Sequence, residues 1–223
     1  MSSRIPSDMR VWDLPTRLFH WALVVLVALQ FATAEFHWLS MQWHFYFGYA
    51  TLALLLFRVA WGFAGSQTSR FSDFVRGPAA VWRYLKSLPA GRSEATIGHN
   101  ALGGWSVLAM LALLLAQTLS GLFASDGIDT DGPFVDAVSG AAVKLMTRLH
   151  HLGETALLVL IGLHVVAVLL HWLLHHDNLI LPMLSGRKRA AAARALQFAG
   201  GWRAALLFLL AIVAVLLLSY FGS

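Results

Sequence analysis

The stretch GLHVVAVLLHWLLHHDN, residues 162–178, carries four histidines in a run that is otherwise almost entirely apolar. An apolar run of about 20 residues is long enough to cross a bilayer as an α-helix. Ionisable side chains inside such helices are costly to bury, so they are typical of functional sites. The stretch therefore predicts both a transmembrane helix and a binding site built on it.

The composition of the whole chain is that of a membrane protein. Of its 223 residues, 58% are hydrophobic and 12% are charged, and the mean hydropathy is +0.68. We predict an all-α integral membrane protein with one membrane domain over residues 1–223, in which a four-helix bundle is followed by a fifth C-terminal span. Strands are not expected, because backbone in lipid must satisfy its own hydrogen bonds. The five predicted spans cover about residues 18–36, 44–63, 101–123, 151–174 and 204–221.

The charge distribution predicts the orientation in the membrane. Lys and Arg number 16 against 11 Asp and Glu, and the basic residues cluster before the first span, between spans two and three, and between spans four and five. By the positive-inside rule these segments are cytoplasmic, which places the C-terminus on the periplasmic side of a bacterial inner membrane. This pattern favours a lipid bilayer as partner and argues against nucleic acid. The basic residues concerned are Arg4, Arg10, Arg17, Arg70, Arg76, Arg83, Lys86, Arg92, Arg187, Lys188, Arg189, Arg194 and Arg203.

The start of the chain also has features of a cleavable signal peptide. The apolar run LFHWALVVLVALQF is followed by small residues at Ala32–Ala34 that resemble a cleavage site. The run contains a histidine and a tryptophan and leads into further spans with consistent charge flanks. We therefore expect it to remain as the first span.

Histidine spacing on the fourth span points to haem. His164 and His171 are seven residues apart, so they differ by about 20° in direction and about 10.5 Å in height on one helix face. A low-spin b-type haem takes one imidazole on each side of the iron, commonly from different helices. Two stacked haems need two further ligands, which His20 and His44 supply. The topology predicts the pairs His44 with His164 and His20 with His171.

This assignment leaves alternatives open. His20 and His44 look further apart in depth than about 10.5 Å, so helix tilt must absorb the difference. His175, four residues after His171, is a second candidate for the inner ligand or for a His-x3-His metal pair. A haem-free use of the histidines, for protons or a metal ion, is the alternative to both. The chain has no cysteine, so any haem is non-covalent.

Other polar residues near the membrane faces have candidate roles. Arg58 lies deep in the second span, and its guanidinium suits a haem propionate; Arg17 is a similar, weaker candidate. At the outer mouth of the fourth span, His150, His151 and Glu154 suit proton exchange with a quinone. A solvated helix start is the competing interpretation of that group.

Four segments together resemble the prokaryotic cytochrome b561 and nickel-hydrogenase b-type cytochrome family. The resemblance covers about Val11 to Lys188. It implies a four-helix core with two non-covalent b haems, ligands at His20, His44, His164 and His171, and electron transfer between membrane quinone and a redox partner. The fifth span looks like the arrangement in hydrogenase-type members. The segments are VWDLPTRLFHW, HFYFGYATLALLLFRVAWG, GHNALGGWSVLAMLALLLAQTLSG and IGLHVVAVLLHWLLHHDNLILPML.

Two functions are compatible with a dihaem protein. In the first, electrons pass between the quinone pool and a periplasmic c-type cytochrome or hydrogenase-like protein that docks on the acidic outer loop. In the second, the protein is a self-sufficient oxidoreductase, for example from superoxide to quinone, with Lys144 and Arg148 near the outer haem. The haem-free transporter stays as the third hypothesis.

Overall fold

Five helices in the described part of the chain are long and apolar enough to cross a membrane. The computed structural model describes residues 7–36, 38–87, 97–190 and 195–222. The predicted all-α fold with five spans is confirmed. Shorter helices lie between these five. In chain order the helices are α1 (Leu14–Glu35), α2 (Met41–Ala64), α3 (Phe71–Phe74), α4 (Pro78–Ser87), α5 (Ala101–Gly121), α6 (Gly140–His175), α7 (Ile180–Ser185) and α8 (Gly201–Phe221).

The fourth span is much longer than its sequence prediction. Helix α6 begins at Gly140 rather than near residue 151, and it runs for 36 residues. Ser139 precedes it, and the Ser139 hydroxyl accepts a hydrogen bond from the Ala142 amide at 3.3 Å, as an N-cap does. Lys144 and Arg148 made the first three turns look like loop. As a result, His150 lies ten residues inside the helix and not at its start.

Two short strands occur outside the spans. Strand β1 (Ser7–Arg10) pairs antiparallel with β2 (Arg187–Ala190), so that Arg10 lies opposite Arg187. The expectation of no strands is therefore wrong for these segments, because the argument from lipid holds only within the membrane. Gly186 extends the pairing, since its carbonyl accepts from the amides of Val11 and Trp12 at 2.8 and 3.1 Å. Of the predicted cytoplasmic cations, Arg4, Arg92 and Arg194 lie outside the described residues.

Internal contacts divide the chain into two compact units, each built from three separate segments. The first unit contains both strands, α3, α4 and α7, together with parts of the longer helices. The second contains α2 up to Arg58, most of α1 and α8, the part of α5 from Met110 onwards and the part of α6 up to Ile161. The segments are Met1–Leu18, Val59–Ala109 and Gly162–Ala204 for the first unit, and Phe19–Arg58, Met110–Ile161 and Ala205–Ser223 for the second.

Asp13 organises the first unit. Its side chain is almost fully buried and accepts hydrogen bonds from the Thr16 amide at 2.9 Å, the Trp61 indole at 3.1 Å and the Ser69 hydroxyl at 3.4 Å. The bond to Thr16 makes Asp13 the N-cap of α1. One carboxylate thus joins the start of α1 to the end of α2 and to the segment that follows it.

The core of the second unit lies around α2. Leu52 and Ala53 of α2 form a buried cluster with Val215 of α8, and Leu115 of α5 packs against it. Among the candidate spans, α2 is buried over 44% of its apolar window, against 6% for α6. Beyond Arg203 in its first turn, helix α8 carries no Asp, Glu, Lys, Arg or His, so its described role is packing against α2.

Replacing Asp13 by alanine is expected to destabilise the protein strongly. Each donor left buried without an acceptor costs about 1–3 kcal/mol, and the lost N-cap costs about 1 kcal/mol more. Thermal unfolding in detergent, followed by tryptophan fluorescence, measures the effect. Asp8→Ala is the matched control, because the Asp8–Arg187 ion pair at 3.1 Å is exposed and such pairs contribute about 0–1 kcal/mol. Equal losses in the two variants would contradict the role given to Asp13.

Candidate functional site

The structure brings His44 of α2 next to His150 of α6. The two imidazole centroids are 6.3 Å apart, and the ring planes are nearly perpendicular at 81°. Both histidines belong to the second unit. Sequence analysis placed His44 in the ligand set but gave His150 only to proton exchange at a helix mouth. The imidazole pair is therefore a site that the spacing argument missed.

Hydrogen bonding fixes the tautomer of His44. The Thr33 hydroxyl donates its single proton to the carbonyls of Leu29 and Gln30, at 2.9 and 2.8 Å. Its oxygen lies 3.2 Å from Nδ1 of His44; with the hydroxyl proton on the carbonyls this oxygen accepts, which assigns the proton of the neutral imidazole to Nδ1. The lone pair of His44 is then on Nε2.

His150 is held in the same tautomer. Its Nδ1 lies 3.0 Å from the carbonyl oxygen of Gln117 on α5, and a carbonyl can only accept. The Ser120 hydroxyl, which donates to the same carbonyl at 3.1 Å, is 3.4 Å from the same nitrogen. Both imidazoles thus donate through Nδ1 to the protein and have a lone pair on Nε2, the arrangement usual for metal-binding histidines.

A cavity of about 270 Å³ lies against the imidazole pair. Four helices line it, and Gly48 of α2 and Gly121 of α5 form parts of its wall. A Cβ atom at Gly121 would come within 2.8 Å of Cε1 of His150. Glycine at this position therefore lets the His150 ring lie directly against α5.

The other predicted ligands have their own surroundings. His20 of α1 is half-buried, with its ring 5.0 Å from that of Trp21. His164 is half-buried on α6, among mostly exposed neighbours. Nε2 of His171 lies 3.4 Å from the Asp177 carboxylate, which also pairs with Lys188 at 2.7 Å. His171 therefore uses the nitrogen that a haem ligand would present to iron.

The two arginines differ in their contacts. Arg58 is 3% exposed, and its guanidinium carbon lies 6.0 Å from the centroid of the Phe19 ring. Arg17 donates to the carbonyl of Leu184 at 2.9 Å, which gives it a role in holding α7 within the first unit. Arg58 thus remains inside the span, as the sequence predicts, while Arg17 also serves the local fold.

Asp126 orders the loop at the rim of the cavity. Its Oδ1 accepts hydrogen bonds from the amides of Ile128, Asp129 and Thr130, at 2.8, 3.1 and 2.9 Å. The bond from the Ile128 amide, followed by that from Thr130, lowers the pKa of the Asp126 carboxyl. Its charge therefore serves the loop conformation at neutral pH.

A family model for prokaryotic cytochrome b561 matches residues 11–186. The chain belongs to that family. The match starts at β1's end and extends through α7, so it contains α1, α2, α5 and α6 with all of the histidines discussed above. Comparisons with curated proteins and with solved structures gave no match.

Membership of the cytochrome b561 family, together with the five apolar helices, makes this a multi-pass membrane protein of b-type haem electron transfer. The imidazole pair fits such a haem. To hold one iron atom together, both imidazoles would have to reach it with bonds of about 2.0–2.1 Å, as for zinc, which requires ring centroids roughly 6 Å apart. The observed 6.3 Å agrees.

The donor set also fits haem better than a bare ion. Among the described residues, no group of three or more His, Cys, Asp or Glu side chains could hold a metal ion. A porphyrin brings four nitrogens of its own, so its iron needs only two axial ligands from the protein. His44 and His150 meet that need with the correct tautomers.

A sequence signal for His150 existed. It precedes His164 by 14 residues, which puts the two about 40° apart in direction and about 21 Å apart along a helix. The seven-residue spacing of His164 and His171 gave a closer angular match and so was preferred.

Proposed function

We propose that this family member is a dihaem b-type cytochrome that transfers electrons between the membrane quinone pool and a periplasmic redox partner. The observation that carries the proposal is the His44–His150 pair, with both Nδ1 protons donated to the protein. These two residues would hold one haem non-covalently. The bound iron supplies one-electron chemistry, while Thr33 and Gln117 hold the imidazoles in the orientation that binding requires.

For the second haem, the proposal rests on helix rise. Thr33, which contacts His44, follows His20 by 13 residues of α1, or about 19.5 Å. On α6, His164 follows His150 by 14 residues, about 21 Å, whereas His171 follows it by 21 residues, about 31.5 Å. The step of about 21 Å along α6 is close to the step of about 19.5 Å along α1, whereas the step to His171 is much longer. We therefore propose His164, in place of the predicted His171, as the α6 ligand of the second haem, and His20 stays the candidate from α1.

Arg58 is proposed to bind a propionate of that second haem. It follows His44 by 14 residues of α2, so it is also about 21 Å further along the span. Its neighbour Phe19 directly precedes His20. A buried guanidinium at this level is stabilised by an anionic partner, which a propionate supplies. Arg17 is the secondary candidate for the same role.

The orientation and the partner are proposed from charge. Positive segments before α1, between α2 and α5, and between α6 and α8 favour a cytoplasmic N-terminus and a periplasmic C-terminus. The loop between α5 and α6 is then periplasmic, and its Asp129, Asp131 and Asp136 are exposed. These acidic residues suit the docking of a basic redox protein such as a c-type cytochrome.

Removing either member of the imidazole pair is expected to remove one haem. His44→Ala and His150→Ala should each halve the haem content of the purified protein, measured by visible spectrum and haem extraction. Because both ligate one haem, the double variant should lose no more than either single variant. His151→Ala is the control, since it is adjacent but not in the pair, and it should keep both haems. A His150→Ala protein with two unaltered haems would refute the assignment.

Substitutions on the inner half of α6 decide between the two candidate inner ligands. His164→Ala is expected to lose the haem that remains in His150→Ala, because His164 lies about 21 Å along α6 from His150, close to the spacing along α1 between Thr33 and His20. His171→Ala should keep two haems and lose only its contact with Asp177. Haem content and redox titration of each variant supply the measurement. The reverse result would restore the pair His20 and His171.

Docking on the acidic loop is expected to weaken with salt. The rate at which a soluble basic c-type cytochrome exchanges electrons with the reduced protein should fall as ionic strength rises, because salt screens exposed charges. Stopped-flow spectroscopy at increasing salt measures this rate. A rate independent of ionic strength would exclude electrostatic docking at this loop.

A further inference from the structure

Two glutamates from different helices meet at the cavity of the imidazole pair. Glu35 is the last residue of α1, Glu154 lies on α6, and their side chains share a hydrogen bond. Both line the cavity that His44 and His150 also line. An ionised carboxylate only accepts hydrogen bonds, so a bond between two carboxyl groups requires one proton. This carboxyl pair, Glu35 and Glu154, is therefore built to hold a single shared proton.

The other titratable groups around this cavity have different roles. His44 from α2 and His150 from α6 form the proposed axial pair, and Asp126 from the loop is engaged by three backbone amides. His151 lines the cavity too and interacts electrostatically with Glu154. Helix α5 contributes uncharged Gln117 and Thr118. Apart from His151, the carboxyl pair is thus the group at this site that can change its charge by one without altering a proposed iron ligand.

The wall of the cavity also contains buried polar atoms that have no hydrogen-bond partner among the described residues. Thr51 is only 2% exposed and lines the cavity, and its hydroxyl has no hydrogen-bond partner among the described residues. The same holds for Oε1 of Gln30 and Oε1 of Gln117. Buried polar groups in proteins are normally paired with protein, ligand or water. These three atoms indicate that the cavity, when filled, holds groups that form hydrogen bonds. Such groups can also transfer protons.

We propose that the carboxyl pair takes up one proton whenever an electron enters the site formed by His44 and His150. The proposal rests on the proposed function, because it requires iron at that pair. One electron, supplied by a quinol or by the partner protein, reduces the iron and adds one negative charge. One proton from the adjacent aqueous phase binds between Glu35 and Glu154 and balances that charge. No bond other than the O–H bond at the carboxyl pair is made.

The coupling follows from electrostatics in a poorly screened environment. A charge added inside a protein acts on nearby carboxylates far more strongly than it would in water. Electron binding and proton binding then favour each other by the same factor, as linkage requires. The exposed position of Glu35 at the end of α1 gives the proton access to water, while Glu154 is half-buried beside the cavity.

A redox titration of the haem-loaded protein at several pH values tests the proposal. The component to follow is the one that His150→Ala removes. Its midpoint potential should fall as pH rises through the neutral range, approaching about 59 mV per pH unit, which is a tenfold change in the equilibrium constant for one electron. Glu154→Gln and Glu35→Gln should each make the potential nearly independent of pH while both haems remain bound.

Three controls separate the possible outcomes. Asp136→Asn removes an exposed acidic charge of the same loop region outside the cavity, and it should keep the wild-type slope. Glu154→Asp keeps a carboxyl group and should retain part of the slope. A wild-type protein with haem but no slope, or an unchanged slope in both glutamine variants, would overturn the inference and leave the haem assignment intact. A purified protein without haem would instead overturn the proposed function.

Discussion

The need to satisfy every polar group within the membrane is the constraint on which the site depends. A hydroxyl on a transmembrane helix has no water to bond, so Thr33 gives its proton to the carbonyls one turn earlier. That donation leaves only the oxygen lone pairs for His44, which in turn fixes the imidazole proton on Nδ1. Gln117 achieves the same for His150 with a backbone carbonyl. The protonation of both imidazoles on Nδ1 thus follows from the hydrogen bonds that polar groups within the spans make with the protein itself.

Outside the membrane the same rule takes another form. Asp13 satisfies an amide, an indole and a hydroxyl with one buried carboxylate, and Gly186 supplies a carbonyl to two amides that precede α1. These bonds tie segments that are far apart in the sequence, including the two strands. Polar contacts thus join the separate segments of the first unit, beside an apolar cluster of Met9, Val11 and Trp12, while the second unit has its apolar packing around α2.

The fold was largely predictable because the hydropathy of a segment depends on its own residues and not on the segments that it contacts. Five apolar runs in the sequence predicted the five spans that the structure has. The strands were not predictable, because the pairing of Arg10 with Arg187 is a contact between distant segments. His44 was found as a candidate ligand, whereas His150 was missed because two charged residues disguised the first turns of α6. The pairing of His44 with His150 could be found only from the distance between the two rings, which lie on different helices.

The length of α6 has a consequence for recognition. At 1.5 Å per residue, its 36 residues measure about 54 Å, whereas the hydrocarbon core of a bilayer is about 30 Å thick. The surplus includes the turns from Gly140 to Arg148, which carry Lys144 and Arg148 and form an extension of the span beyond the lipid. A protein that binds to this extension contacts the same helix that carries His150. A small shift or rotation of the helix on docking would then move the His150 imidazole directly, because no loop separates the bound turns from His150.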